Sequence, residues 1–433
     1  MRKKTFMGFG LGAVQSGLML YEAFRSNNFD KFIISEIDYE IVSSVKNANS
    51  QITINISTKN GVKKSVISNV EICNSSNISD YNFIASSIYE ADEMATAIPS
   101  TEFYDTGKSS IARLLAENIN PNKYQILYTA ENNNYAAEIL LEKINKYAAV
   151  DKLKKFQILN TVIGKMGGVI NDESTVKKFD LDWMTPLSKV AILVEEFNDI
   201  IISKIKLPGF ERGIKIFREK DDLLPFEEVK LFGHNAVHSM LGFLASLKGY
   251  TYMSEIKNDP QLYGYGTQAF DNESGVFLLK KYKHFKDPLF TKEGFRYYGL
   301  DLLERITNPF LRDEVKRICR DPIRKLQYND RFFGAIREAL KYNVHPKILA
   351  KGVLGGICYI INNKIDMDSV EGINFQYPES VEDLDERVIR SILSNIWKEE
   401  PNDGLEEECM SLICSELDEF LEEYKTNKKI KSG

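Results

Sequence analysis

"RKKTFMGFGLGAVQSGLMLYEAF", residues 2–24, decides the fold. A basic start, an apolar run and small residues are the ingredients of a secretory leader. The same letters also spell a strand through Phe9, a Gly-x-Gly turn at Gly10 and Gly12, and the opening turns of a helix. Glycines interrupt the apolar run Phe6 to Val14, and the polar pair Gln15-Ser16 follows it. Leu18, Tyr21 and Phe24 then recur at helical spacing, which a cleaved leader does not need. The turn Asn28-Phe29-Asp30 leads into "KFIISEID", a buried strand. Strand, Gly-x-Gly, helix, turn and strand make a βαβ unit.

Such a unit has a chemistry. Gly10 permits a tight turn, and Gly12 lets a pyrophosphate approach the backbone. The helix start offers free N–H groups and a positive dipole end. Glu36, closing the second strand, is placed to accept hydrogen bonds from ribose hydroxyls and to repel a 2′-phosphate, so NAD is the expected cofactor. The third glycine of G-x-G-x-x-G is missing, with Gln15 in its place. The cofactor contacts expected are Gly10, Gly12, Ala13, Val14, Gln15, Glu36, Ala97 and Ile98. A glycine-rich turn without a ligand is the bland alternative.

With 433 residues, two domains are expected. A net charge of −6, from 56 basic and 62 acidic residues, argues against a nucleic-acid partner. Five cysteines form no C-x-x-C pair, and the four histidines form no H-E-x-x-H, so no metal site is expected. No apolar run reaches the roughly 18 residues of a membrane helix. The expectation is a cytoplasmic protein, a monomer or small homo-oligomer, with a small molecule as its partner.

Alternating Ile52, Ile54 and Ile56 before Asn60-Gly61 signal a β-hairpin inserted into the first domain. "DEMATAIPS", "YQILYTAEN" and "FQILNTVIG" read as further strands, with helices between them. "VAILVEEFNDIIIS" is apolar and undecided. After "KLPGF" helical periods dominate, over 226–248, 292–306, 310–319, 329–342, 346–363, 380–398 and 404–425. The fold class expected is α/β: a Rossmann-type domain with a largely parallel sheet over 1–205, then a mostly helical domain over 206–433.

"EEVKLFGHNAVHSMLGFLASLKG" opens that second domain. At roughly 100° per residue, Lys230, Asn235 and His238 fall within one helix face. A lysine of lowered pKa can act as a base, and an amide and an imidazole can hold an alcohol oxygen. Spacing alone favours the bland reading: a surface lysine, a buried asparagine and a core histidine.

"KLFGHNAVH" resembles the K-x-x-x-x-N-x-x-H motif of the mannitol dehydrogenase family, the long-chain, metal-independent polyol dehydrogenases. "NPFLRDEVKRICRDPIRKLQYNDR", residues 308–331, resembles the members that act on mannitol 1-phosphate. "FGLGAVQSG", "YTAEN" and "VEEFNDIIISK" match further blocks of theirs. The resemblance implies Lys230 as general base, with Asn235, His238 and Asn132 holding the reacting oxygen. It places Asn132, Lys165, Arg317, Arg320 and Lys325 at the substrate. "NTVIGKM" departs from the family's D-x-x-V-D-R-I, with Asn160 and Gly164 in place of acids and Lys165 in place of arginine.

The function expected is NAD-dependent interconversion of mannitol 1-phosphate and fructose 6-phosphate. A hexuronate reductase, a mannitol 2-dehydrogenase and a silent nucleotide-binding regulator are the alternatives. Arg317, Arg320, Arg324 and Lys325 would suit a phosphate; on one helix, the three arginines would share a face unless Pro322 starts a new turn.

Overall fold

The computed structural model describes residues 3–365, 378–398 and 403–432. The described residues hold twelve strands: Lys4–Phe9 (β1), Phe29–Ser35 (β2), Ile52–Thr58 (β3), Gly61–Ile67 (β4), Val70–Cys73 (β5), Glu93–Thr96 (β6), Gln125–Thr129 (β7), Phe156–Val162 (β8), Gly167–Ile170 (β9), Ala191–Glu195 (β10), Ile201–Ser203 (β11) and Arg218–Lys220 (β12). Eight form one sheet in the order β12-β11-β8-β7-β6-β1-β2-β5, parallel throughout except where β11 meets β8.

Alternate residues of β1 face opposite sides, as the pleat requires. Met7 and Phe9 join Ile84, Ile88, Leu115 and Leu140 in one core, under the helices Ile78–Glu90, Ile111–Asn118 and Ala136–Asn145. Phe6 joins a second core with Leu18, Met19 and Leu20 of the helix after the Gly-x-Gly turn. Behind that helix lies a smaller sheet, β4-β3-β10-β9, built on the expected Asn60-Gly61 hairpin. The undecided run "VAILVEEFNDIIIS" is two strands, β10 and β11, one in each sheet.

β1 lies between β2 and β6, where the strand order reverses. Ligands of open α/β sheets bind beyond the carboxyl ends of the strands at such a point. The strand ends there are tied together: Gly10 N–H bonds Ser35 O at 2.9 Å, Ala97 N–H bonds Phe9 O at 3.1 Å and Ala130 N–H bonds Thr96 O at 2.9 Å.

The chain divides into Met1–Phe226 and Glu227–Gly433, later than the boundary expected near residue 206. The reason lies in residues 211–220. β12 pairs with β11, Phe217 packs edge-on against Tyr128 at 5.6 Å, and buried Glu93 accepts the Gly213 N–H. These contacts hold the segment to the first sheet.

The second unit is helical. Ala236–Leu247 packs along Lys347–Asn362, whose Gly352, Gly355 and Gly356 face Met240, Leu244 and Phe243. Within the expected helix over 226–248, Val229–Asn235 is a π turn. The span 310–319 is helical only over Val315–Ile318. The basic C-terminal tail continues the helix Leu417–Ser432. Among the described residues, no helix is long and apolar enough to cross a membrane.

Candidate functional site

The first unit presents its candidate residues at the switch point. Gly10 has φ +84°, and a Cβ there would stand 2.8 Å from Ala97 O, so the turn requires glycine. A Cβ on Gly12 would meet nothing within 4 Å, which leaves open space in front of the backbone. Glu36 is buried, and its carboxylate organises the turn. It accepts from the N–H groups of Leu11 at 2.7 Å, Ile37 at 2.7 Å and Asp38 at 3.0 Å. The glycine turn and the end of β2 are thereby one rigid piece.

Gln15 replaces the third glycine, which ordinarily allows close helix–strand packing. The compensation lies in the strand: Gly8 has no Cβ, and one built there would come within 1.6 Å of Gln15 Nε2. The helix also widens into a π turn over Gln15–Leu20. The Gln15 amide is fully buried, with neither its nitrogen nor its oxygen hydrogen-bonded. Burying an unpaired amide costs about 1–3 kcal/mol. Gln15→Met should therefore raise the unfolding free energy of the ligand-free chain by about that much. Urea denaturation checks this, and an unchanged midpoint would show the amide satisfied in solution.

Glu131, in the run "YQILYTAEN", fixes the neighbouring loop. Buried at the end of β7, it accepts from Thr96 Oγ1 at 2.9 Å, Ile98 N–H at 3.0 Å and the Tyr104 hydroxyl. Burial raises its pKa despite these bonds. Ala97-Ile98 is thus clamped to the turn that carries exposed Asn132. Lys165 donates to Phe197 O at 2.8 Å. Asn160 caps the helix Ala136–Asn145 by accepting the Ala137 N–H at 2.8 Å, which gives the departure at "NTVIGKM" a structural use.

In the second unit the regular helix expected for Lys230, Asn235 and His238 is corrected by the π turn Val229–Asn235. An i→i+5 turn brings residue 235 over residue 230, where a regular helix sets them well apart. The K-x-x-x-x-N spacing therefore matches a π turn. Its loosened backbone is buttressed by the segment 249–291, whose role was not legible. Ser274 Oγ, in a second π turn, donates to Phe232 O at 2.8 Å.

Burial, with the Arg331 guanidinium as a second cause, lowers the Lys230 pKa to about 8. Arg331 is buried and held by Asp330 at 2.8 Å and Ser239 Oγ at 3.2 Å. His238 is buried, and its Nε2 meets Asp313 Oδ2 at 2.9 Å. His234 packs against it with ring centroids 5.9 Å apart. Burial and the surrounding cations hold His234 well below the usual imidazole range, so it is neutral. Asp313 and Arg331 were missed, although both lie inside "NPFLRDEVKRICRDPIRKLQYNDR".

The cationic cluster is corrected. Pro322 starts a new turn after Asp321, which has φ +54°, so Arg317 and Arg324 sit on separate short helices. Arg317 pairs with Asp313, and Arg324 pairs with Asp330 at 3.0 Å. Lys325 is buried and donates to Ile318 O at 2.7 Å and to Arg320 O, so it closes the preceding turn. Of the three arginines, only Arg320, whose Nε donates to Arg317 O at 3.3 Å, meets no carboxylate among the described residues.

This unit carries a known architecture. Residues 222–399 match the family model described as the mannitol dehydrogenase C-terminal domain. The matched segment holds Lys230, Asn235, His238 and the whole cationic cluster. Over its greater length the chain is 27% identical to mannitol-1-phosphate 5-dehydrogenase of Clostridium acetobutylicum, across 84% of this chain and 88% of the relative. It is 26% identical to the enzyme of that name from Thermoanaerobacter pseudethanolicus, across 81% and 84%. The fold is that of D-sorbitol dehydrogenase in its substrate-free form (TM-score 0.71, 13% identity, 95% and 92% of the two chains). It is also that of Pseudomonas fluorescens mannitol 2-dehydrogenase in ternary complex with NAD and D-mannitol (TM-score 0.65, 15% identity, 98% and 94%).

Proposed function

We propose that the chain is an NAD-dependent dehydrogenase that interconverts a polyol and a ketose, with Lys230 as the base. The observation that carries this reading is the π turn: it sets Asn235 one turn after a lysine whose pKa is lowered to about 8. A free amine of that basicity can take the proton of a hydroxyl near neutral pH. Asn235 and His238 hold the oxygen as it gains charge. NAD, when bound, supplies the hydride acceptor. Gly10, Gly12, Ala13 and Val14 are proposed to receive its pyrophosphate, Glu36 its ribose, and Ala97-Ile98 the adjoining part; Gln15, fully buried against Gly8, is not among these contacts. The open space at Gly12 and the glycine turn fit such a group. The step proposed needs no metal ion, and EDTA dialysis should leave activity intact.

The leading substrate pair is mannitol 1-phosphate and fructose 6-phosphate, which the names of the relatives support. Arg320 is proposed as the phosphate contact. A second reading, an unphosphorylated polyol, is favoured by the pairing of Arg317, Arg324 and Lys325 within the protein. NADH oxidation with fructose 6-phosphate, fructose, fructuronate and tagaturonate separates the readings. Fructose 6-phosphate is expected to have the lowest KM, and Arg320→Gln to raise that KM alone. Equal KM for fructose sinks the phosphate assignment, and no activity on any ketose sinks the function.

Lys325 provides a separate test. Lys325→Met should cost about 1–3 kcal/mol of stability by leaving buried carbonyls unpaired, while KM for the sugar phosphate stays unchanged. A raised KM with stability intact would make the lysine a substrate ligand after all.

A further inference from the structure

Asp313 has a set of contacts that packing alone does not require. Its side chain is 1% exposed. One carboxylate oxygen meets His238 Nε2 at 2.9 Å, and the other accepts from Arg317 Nε at 2.9 Å. Its backbone is pinned as well: Asp313 O accepts from Met253 N–H at 2.9 Å, and the next bridge joins Tyr252 to Glu314. Val315 N–H bonds Thr251 O at 3.0 Å. The carboxylate is therefore held in place from several directions before it touches the histidine. Burial would raise its pKa, but His238 and Arg317 outweigh burial and hold it below the usual carboxylate range.

We propose that Asp313 is a positioning residue that fixes the tautomer and orientation of His238, leaving Nδ1 for the reacting oxygen. The inference rests on the reading above that His238 meets that oxygen. A carboxylate can only accept, so the imidazole nitrogen facing it carries the proton. The other ring nitrogen then accepts from the substrate hydroxyl when the ring is neutral, and donates to the oxygen when the ring is charged. Arg317 acts one step further back. Its guanidinium keeps Asp313 ionised and aimed, which gives the arginine a role other than contact with a phosphate.

Asp313→Asn tests this, since the amide keeps the shape and loses the charge. The expected result is a fall in kcat of about 10²-fold, with KM for the ketose changed less than about threefold. In a His238→Ala background the same substitution should change kcat less than about twofold, because the two residues act as one unit. Losses that multiply would overturn the proposal, as would a fully active Asp313→Asn enzyme.

A second readout needs no substrate. Long-range ¹⁵N spectra of the four imidazoles, with His238 assigned through His238→Gln, should show a single tautomer protonated on Nε2. Asp313→Asn should replace it with a mixture. A wild-type ring protonated on Nδ1 alone would overturn the proposal even if the protein proves inactive on every ketose, so this result is distinct from failure of the function. If Asp313→Asn does not fold, Arg317→Gln takes its place, with an expected loss in kcat of about tenfold. An Arg317→Gln enzyme of unchanged kcat would count against the proposal.

Discussion

Lys230→Ala should lower turnover by about 10²–10⁴-fold, the scale for loss of a positioned acid–base group. NADH affinity should stay within about twofold of wild type, because the lysine is not among the residues proposed to hold the cofactor. The pH profile carries the same signature. A base must be unprotonated to act, so kcat/KM for polyol oxidation should rise with pH through about 8 and then level off. Arg331 is the second cause of the lowered value, after burial. Arg331→Met removes a nearby cation, so the midpoint should move up. An active Lys230→Ala enzyme, or a profile flat through that range, removes the lysine from the mechanism.

Gly10→Val should abolish cofactor binding at ordinary concentrations. A β-branched residue at φ +84° is strained by about 1–3 kcal/mol. Its Cβ would also stand 2.8 Å from Ala97 O, in a loop that Glu131 holds against movement. Relief would have to come from the turn itself, which Glu36 also grips through the Leu11 N–H. Expected results are a fall in unfolding free energy of about 1–3 kcal/mol and a rise in NADH Kd of at least about tenfold. Thermal melts and the change in nicotinamide fluorescence on binding measure the two. Wild-type affinity in a well-folded Gly10→Val chain would separate the turn from the cofactor.

The βαβ opening was legible because each feature there is local. Gly-x-Gly, the helical spacing after it and an acid at the end of the next strand lie within a few dozen residues of one another. The hairpin was legible for the same reason, through Asn60-Gly61. Beyond residue 206 the segment 211–220 stays with the first sheet through β11 and, at Gly213 and Phe217, through Glu93 and Tyr128, contacts that are remote in sequence. At the candidate site, residue types in a motif suggested Lys230, Asn235 and His238. The π turn that brings 230 and 235 together leaves no mark on a 3.6-residue period. The four cations were read by charge alone. Their carboxylate and carbonyl partners depend on a break at Asp321-Pro322, which the sequence allowed without requiring. Asp313 stood in plain view, but its partner is 75 residues away.

Gly8 and Gln15 have a historical consequence. The bulk that a glycine usually spares on the helix has been taken from the strand instead, so two positions share one volume. Changing Gln15 alone to glycine leaves a hole, and enlarging Gly8 alone drives a Cβ to within 1.6 Å of the amide. The pair is epistatic, and the order of substitution is constrained. Relatives should accordingly vary these two sites together, small against large, and a search for the three-glycine fingerprint will pass over chains in which the glycine has crossed to the strand.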